Sequence, residues 1–200
     1  MPAQSIERSW TVVTWLVALG RSDLDAVVDA LRGIDADAIA LQSLEESDVE
    51  HVADALGVRF AWELSYHPVS RLIPGSGIGL AVLSPHGVDT SHHVVINEHH
   101  STWSKHRRIA QFAVVNRADH SGYAIGHAVG SVTAGAMPGV SAPLVMIRPE
   151  QVEHDATRAV EVPNGATVTN TDVIRPIENA APMLTVTFEM PWVQGDFPVV

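Results

Sequence analysis

Between Trp10 and Val17 apolar residues occupy both parities of the chain. Trp10, Val12, Thr14 and Leu16 fall on one side, and Thr11, Val13, Trp15 and Val17 on the other. A strand that is apolar on both faces belongs to a sheet covered on both sides. The period then changes. Leu24, Val27, Val28 and Leu31 recur at helical spacing, with Ser22 as the expected N-cap, Asp23 and Asp25 in the first turn, and Gly33 as the stop. Ala38 to Leu44 is a second buried strand. Ser47 is the expected cap of a second helix that carries Val49, Val52, Ala53 and Leu56 and stops at Gly57.

The pattern continues with a strand from Val58 to Leu64, a loop over 65–77 rich in Pro, Gly and Ser, and a strand from Ile78 to Ser84 ended by Pro85-His86-Gly87. Residues 88–98 read as a looser strand pair or a strand and loop. Arg108–Asn116 and Tyr123–Val129 read as neighbouring strands joined by a hairpin turn. Residues 130–143 read as a long loop, and Pro149–Val160 as a helix with Val152, Ala156 and Ala159 on one side. Leu184, Val186, Phe188 and Met190 alternate as in a half-buried strand, and 195–200 suit a terminal strand. There is no internal repeat and no long linker, so a single domain over 1–200 is expected.

Charge narrows the function. The chain carries 12 Lys and Arg against 23 Asp and Glu, a net charge of −11. Nucleic-acid binding relies on neutralising phosphates with basic side chains, so a nucleic-acid partner is not expected unless bound cations intervene. No apolar run reaches the roughly 18 residues of a membrane helix. Met1 to Ser9 lacks the basic-then-apolar pattern of a signal peptide. Cysteine is absent, which excludes disulfides and thiolate metal sites and suits a cytoplasmic location.

Several strings, in order, resemble the endonuclease/exonuclease/phosphatase (DNase I-like) superfamily. Thr14-Trp15-Leu16-Val17 stands where that family has Thr-Trp-Asn-Val, and Leu41-Gln42-Ser43-Leu44 where it has Leu-Gln-Glu-Val or Leu-Gln-Glu-Leu. Gly77 to Ser84 resembles the strand ending in Leu-Ser-Arg. Arg107-Arg108 opens a strand as an Arg does in the family, and Ala124 to His127 resembles the strand ending in Asn-Thr-His. Gly195 to Val200 resembles the closing Ser-Asp-His-x-Pro-Val. The similarity is good over 10–129 and thin beyond. It implies an α/β sandwich of two mixed β-sheets flanked by helices, shortened in its C-terminal half.

The resemblance also implies losses. The Asn that orients phosphate or metal falls on Leu16, the metal-binding Glu on Ser43, and the final catalytic His on Phe197. His127 and Asp196 are kept. The family's Gly-Asp-x-Asn string has no match before the terminal strand, or else falls on Gly195 to Pro198, with Pro198 in place of Asn and no closing Asp-His pair. Mg²⁺ is hard, octahedral and held by one or two carboxylates. Serine offers a weak neutral oxygen and leucine none. Groups that act as a unit fail together. The expectation is a pseudoenzyme that binds a protein partner or another copy of itself, with no cofactor. The alternative is a phosphoesterase or nuclease dependent on Mg²⁺ or Mn²⁺, its metal site relocated to Glu45 or Glu46 with His127 and Asp196. Glu45 shares strand parity with Ser43 and would stand about 7 Å further along.

Two further groups invite chemistry. His92, His93, His99, His100 and His106 cluster, and imidazoles suit Zn, Ni or Cu. Adjacent histidines on a strand face opposite sides, however, and no metal-finger spacing is present, so a solvated or interface segment is expected. Lys105-His106-Arg107-Arg108 is the basic run. Arg107 and Arg108 are the candidates for touching phosphate, against a solvated start of a strand or a partner contact.

Overall fold

Arg8–Leu16 (β1) has a parallel neighbour on one side, Ala38–Glu45 (β2), and an antiparallel neighbour on the other, Met183–Met190 (β11). The computed structural model of the chain describes residues 8–17, 24–68, 77–100, 104–117, 122–128, 144–148, 151–162, 165–178 and 180–190. Two helices follow β1 and β2, Leu24–Arg32 (α1) and Glu46–Leu56 (α2). Then come Arg59–Pro68 (β3), Ile78–Ser84 (β4), Thr90–His100 (β5), Ser104–Asn116 (β6), Gly122–Ala128 (β7) and Leu144–Ile147 (β8). A short helix, Ala156–Ala159 (α3), leads into Val160–Glu161 (β9), and Thr167–Ile174 (β10) precedes β11.

Hydrogen bonding runs through β10-β11-β1-β2-β4-β3-β6-β7-β8-β9, with β5 also paired to β6. β1 with β2 and β7 with β8 are parallel and the other pairs antiparallel. In a flat sheet β1 and β8 would lie about 29 Å apart, six strand spacings. Yet Trp10 and Val12 of β1 share one buried cluster with Val145 and Ile147 of β8 and Ala113 and Val115 of β6. The sheet is therefore folded over into two layers, β10-β11-β1-β2-β4-β3 and β5-β6-β7-β8-β9. They join where Tyr66 and Pro68 of β3 pair with His106 and Ser104 of β6. The outer face of the first layer packs on the helices through Val13, Trp15, Ile39, Leu41, Val27, Leu31, Val49 and Val52. Both faces of β1 are buried, as its two apolar parities require.

Polar groups tie the layers at the end where β1 and β2 begin. Asp37, 7% exposed, accepts from the Thr11 backbone N–H at 2.7 Å, from His86 Nε2 at 2.8 Å and from Arg117 Nε at 2.8 Å, and Arg117 Nη2 also donates to it. Arg117 Nη2 further donates to the Ser9 carbonyl at 2.8 Å, and its guanidinium lies 4.3 Å from the Trp10 ring centroid. Ser84 Oγ donates to the Asp37 carbonyl at 2.7 Å.

Some expectations change. β2 passes into α2 with no residue between, so Glu45 rather than Ser47 is the N-cap, and its side chain makes no capping bond. Glu46 and Asp48 still place negative charge in the first turn, and Gly57 closes the helix in the left-handed region at φ 69°. β3 continues to Pro68, into what reads as loop. Residues 90–100 form one strand, and the basic run lies inside β6. The helix expected over 149–160 shrinks to Ala156–Ala159, because Val160 is drawn into the ladder opposite Ile147. Asp155 caps it, and the Thr157 hydroxyl and N–H hold the Asp155 carboxyl below the usual carboxylate range. The proposed cap at Ser22 and the terminal strand over 195–200 lie outside the described residues. No described helix is long and apolar enough to cross a membrane.

Candidate functional site

The resemblance directs attention to the opposite end of the layers, where β1 and β2 finish. Ladder partners share a face, so the register gives rows across the inner face of the first layer. Thr14, Ala40, Val82 and Ala61 form one row, and Leu16, Gln42, Leu80 and Glu63 the next. From the second layer Gln111, fully buried, reaches across to donate from Nε2 to the Ala61 carbonyl at 3.0 Å. Glu63 accepts from Ser91 Oγ at 3.2 Å and pairs with His93 Nδ1 at 2.7 Å, bridging β3 and β5. Thr14 Oγ1, Gln42 Nε2 and Gln111 Oε1 are buried with no hydrogen-bond partner among the described residues. Buried polar atoms of this kind are commonly met by ordered water or a ligand.

Ser43 is not a regular strand residue. Gln42 pairs with Leu80 and Leu44 with the adjacent Gly79, so Ser43 is bulged out of the ladder. Its φ of 66° makes it the non-glycine residue with positive φ among those described. Strain of this kind gathers at functional positions. The bulge also resets the alternation of β2. Glu45 pairs with Ile78, which shares parity with Leu80 and Val82, so Glu45 stands on the inner face with Gln42 and Ala40. The parity expected for Glu45 from an unbroken strand is thereby corrected: it follows Gln42, not Ser43. β3 is bulged opposite the same turn of β4, between Leu64 and Tyr66. The two bulges flank Gly79, over which the Trp62 indole lies while donating to the Leu44 carbonyl at 3.2 Å. Trp62→Phe should cost about 1 kcal/mol in urea unfolding, the worth of that bond. No measurable loss would mean that the indole N–H is met by water. A glycine inside a strand is the sequence sign of such a bulge. The Glu63–Ser91–His93 bridge has no comparable signal, because its members come from different strands.

The other candidates are placed unevenly. The His127 backbone pairs with Gln111 and Ile147, at about the height of the Thr14 row. Positions 107 and 108 pair with Glu98 and Asn97 of β5. The side chains of His127, Arg107 and Arg108 lie outside the described residues, as do Asp196 and Phe197 entirely. Glu46 is exposed at the start of α2. Within the histidine cluster, His92 stacks on Phe112 at 5.6 Å, His93 is held by Glu63, and position 99 is the ladder partner of 106.

No family model and no curated protein matches the sequence. Solved structures do match in shape. An endonuclease/exonuclease/phosphatase from Beutenbergia cavernae superposes with a TM-score of 0.70 at 13% identity, covering 96% of this chain and 73% of that one. The fold is that of the endonuclease/exonuclease/phosphatase superfamily. The human Nocturnin catalytic domain, with bound sulfate, matches with a TM-score of 0.63 at 9% identity over 94% of this chain and 98% of its own. A humanised TDP2 from D. rerio matches at 0.61 and 11% identity over 90% and 98%.

In a chain of the endonuclease/exonuclease/phosphatase fold, the residues at the ends of β1 and β2 can be tested against a divalent cation. Leu16, Ser43, Thr14 and Gln42 offer one apolar side chain and three neutral polar ones, and the carboxylates on the same face are Glu45, at the end of β2, and Glu63, which is engaged by Ser91 and His93. Among the described residues, no group of three His, Asp or Glu side chains is placed to hold a metal ion.

Proposed function

We propose that this chain is a non-catalytic binding or assembly protein built on the endonuclease/exonuclease/phosphatase fold. One observation carries the reading. On the inner face Leu16 lies beside Gln42, and Ser43 is bulged out of the ladder, where the resemblance calls for Asn and a metal-binding Glu. A partly buried leucine disfavours a hydrated ion there. The unpartnered Thr14, Gln42 and Gln111 atoms support a cleft that takes a neutral polar guest. The net charge of −11 favours a protein or small-molecule partner over nucleic acid, and the absence of cysteine suits the cytoplasm.

A second reading is favoured by the bulge, which brings Glu45 to the inner face. It is a divalent-metal-dependent phosphoesterase using Glu45, His127 and Asp196, with Arg107 and Arg108 receiving phosphate. One experiment separates the two. Aryl phosphomonoesters and phosphodiesters are incubated with the protein in Mg²⁺ and in Mn²⁺, and Mn²⁺ binding is followed by calorimetry. The first reading expects turnover no higher than the metal-only control and no saturable Mn²⁺ site. Turnover abolished by His127→Ala, together with Mn²⁺ binding abolished by Glu45→Gln, would establish the second.

A further inference from the structure

β10 is the outermost strand of the first layer, bonded among the described residues to β11 alone. All eight of its residues are exposed, with Val168 at 46%, Val173 at 44% and Ile174 at 39%. Soluble proteins blunt such edges with lysine, proline or dense charge. β10 has none of these and carries a single charged residue, Asp172; its one interruption is a bulge at Thr169.

The strand is also symmetric about its own centre. Measured against β11, its ladder positions are Thr167, Val168, Asn170, Thr171, Asp172, Val173 and Ile174, with Thr169 bulged out. A two-fold axis through Thr171, normal to the sheet, would set seven positions of one copy against seven of another. Val168 then faces Val173, Thr167 faces Ile174, Asn170 faces Asp172, and Thr171 faces itself. The bulge is what allows this. It puts Val168, Thr171 and Val173 on one face, that of Phe188, Val186 and Leu184, and Thr167, Asn170, Asp172 and Ile174 on the other. Partners in the doubled ladder therefore share a face, as an antiparallel pair requires. The one carboxylate meets an amide that donates to it, not its own copy. Isologous contacts demand this self-complementarity.

We propose that β10 pairs antiparallel with β10 of a second copy of this chain, about an axis through Thr171, joining two first layers into one continuous sheet. The inference goes beyond the binding reading above and holds whether or not the inner cleft turns over a phosphoester.

Two chains of net charge −11 repel one another, so association should strengthen with ionic strength. Sedimentation of the full chain at sub-millimolar concentration, in about 1 M salt where the Debye length is ~3 Å, should give a dimer. A monomer under those conditions overturns the proposal. Thr171→Lys places like charges directly opposite across the axis and should weaken the dimer at least tenfold. An equimolar mixture with Thr171→Glu should restore it as a heterodimer. A Thr171→Lys chain as dimeric as the original, or a mixture that stays monomeric, also overturns it. If circular dichroism shows that Thr171→Lys fails to fold, Thr171→Cys decides. The chain has no other thiol, and Cα atoms across the axis would stand about 4.5–5.5 Å apart, within disulfide reach. Oxidised glutathione should link this variant at least ten times faster than Asp29→Cys on exposed α1. Equal rates exclude the axis.

Discussion

Asp37→Ala should destabilise the protein by about 3 kcal/mol, at the low end of the cost of leaving a buried charge without its partner. The variant strips Arg117 of its counter-ion while the guanidinium stays pinned between the Ser9 carbonyl and the Trp10 ring. It also leaves the Thr11 N–H without the carboxylate it donates to and His86 without its hydrogen-bond partner. These groups come from β1, the start of β2, the end of β4 and the end of β6, so the loss falls on the seam between the layers. Urea unfolding measures it as a lowered midpoint at unchanged slope. Asp37→Ala/Arg117→Met should recover much of the loss, because an apolar pair of similar volume is often as stable as a buried ion pair. A loss below about 1 kcal/mol for the single variant would put this cluster among exposed ion pairs.

Gly79→Ala should lower stability by about 3 kcal/mol, at the upper end for overpacking. A Cβ on Gly79 would stand 2.2 Å from the Glu63 carbonyl oxygen and 2.7 Å from Cε2 and Nε1 of Trp62. The indole can swing aside, giving up its bond to Leu44. The carbonyl belongs to the β3 backbone and moves only with the strand. Thermal unfolding reads the change as a drop of roughly 6–12 °C for a chain of this size. Trimming the ring should not cure it, so Gly79→Ala/Trp62→Ala should be less stable than either single variant. A Gly79→Ala chain of normal stability would show that the bulges do not close on Gly79 as described.

The elements legible in the sequence were those with a buried face. β1, β2 and β4 carry apolar residues on both parities, and α1 and α2 repeat theirs at helical spacing. β6 and β7 pair as the short turn between them implies. β11 is set by Leu184, Val186 and Phe188, which prove fully or nearly buried. β10 escaped because its eight residues are all exposed and so show no contrast between faces. β8 escaped because four residues hold too little pattern. At the cleft, Leu16 and Ser43 were legible as departures from a familiar string. The facing of Glu45 was not, since it depends on one bulged residue, Ser43, that shows only in the register of β2 against β4.

The passage of hydrogen bonds from β3 into β6 has a mechanical result. The two walls around Thr14, Gln42 and Gln111 are parts of one bent ladder, not leaves on a hinge. Prising them apart would mean tearing backbone bonds at the fold line. The spacing between the two layers is therefore set by the ladder itself, and a change in that spacing has to be taken up in the backbone at the fold line.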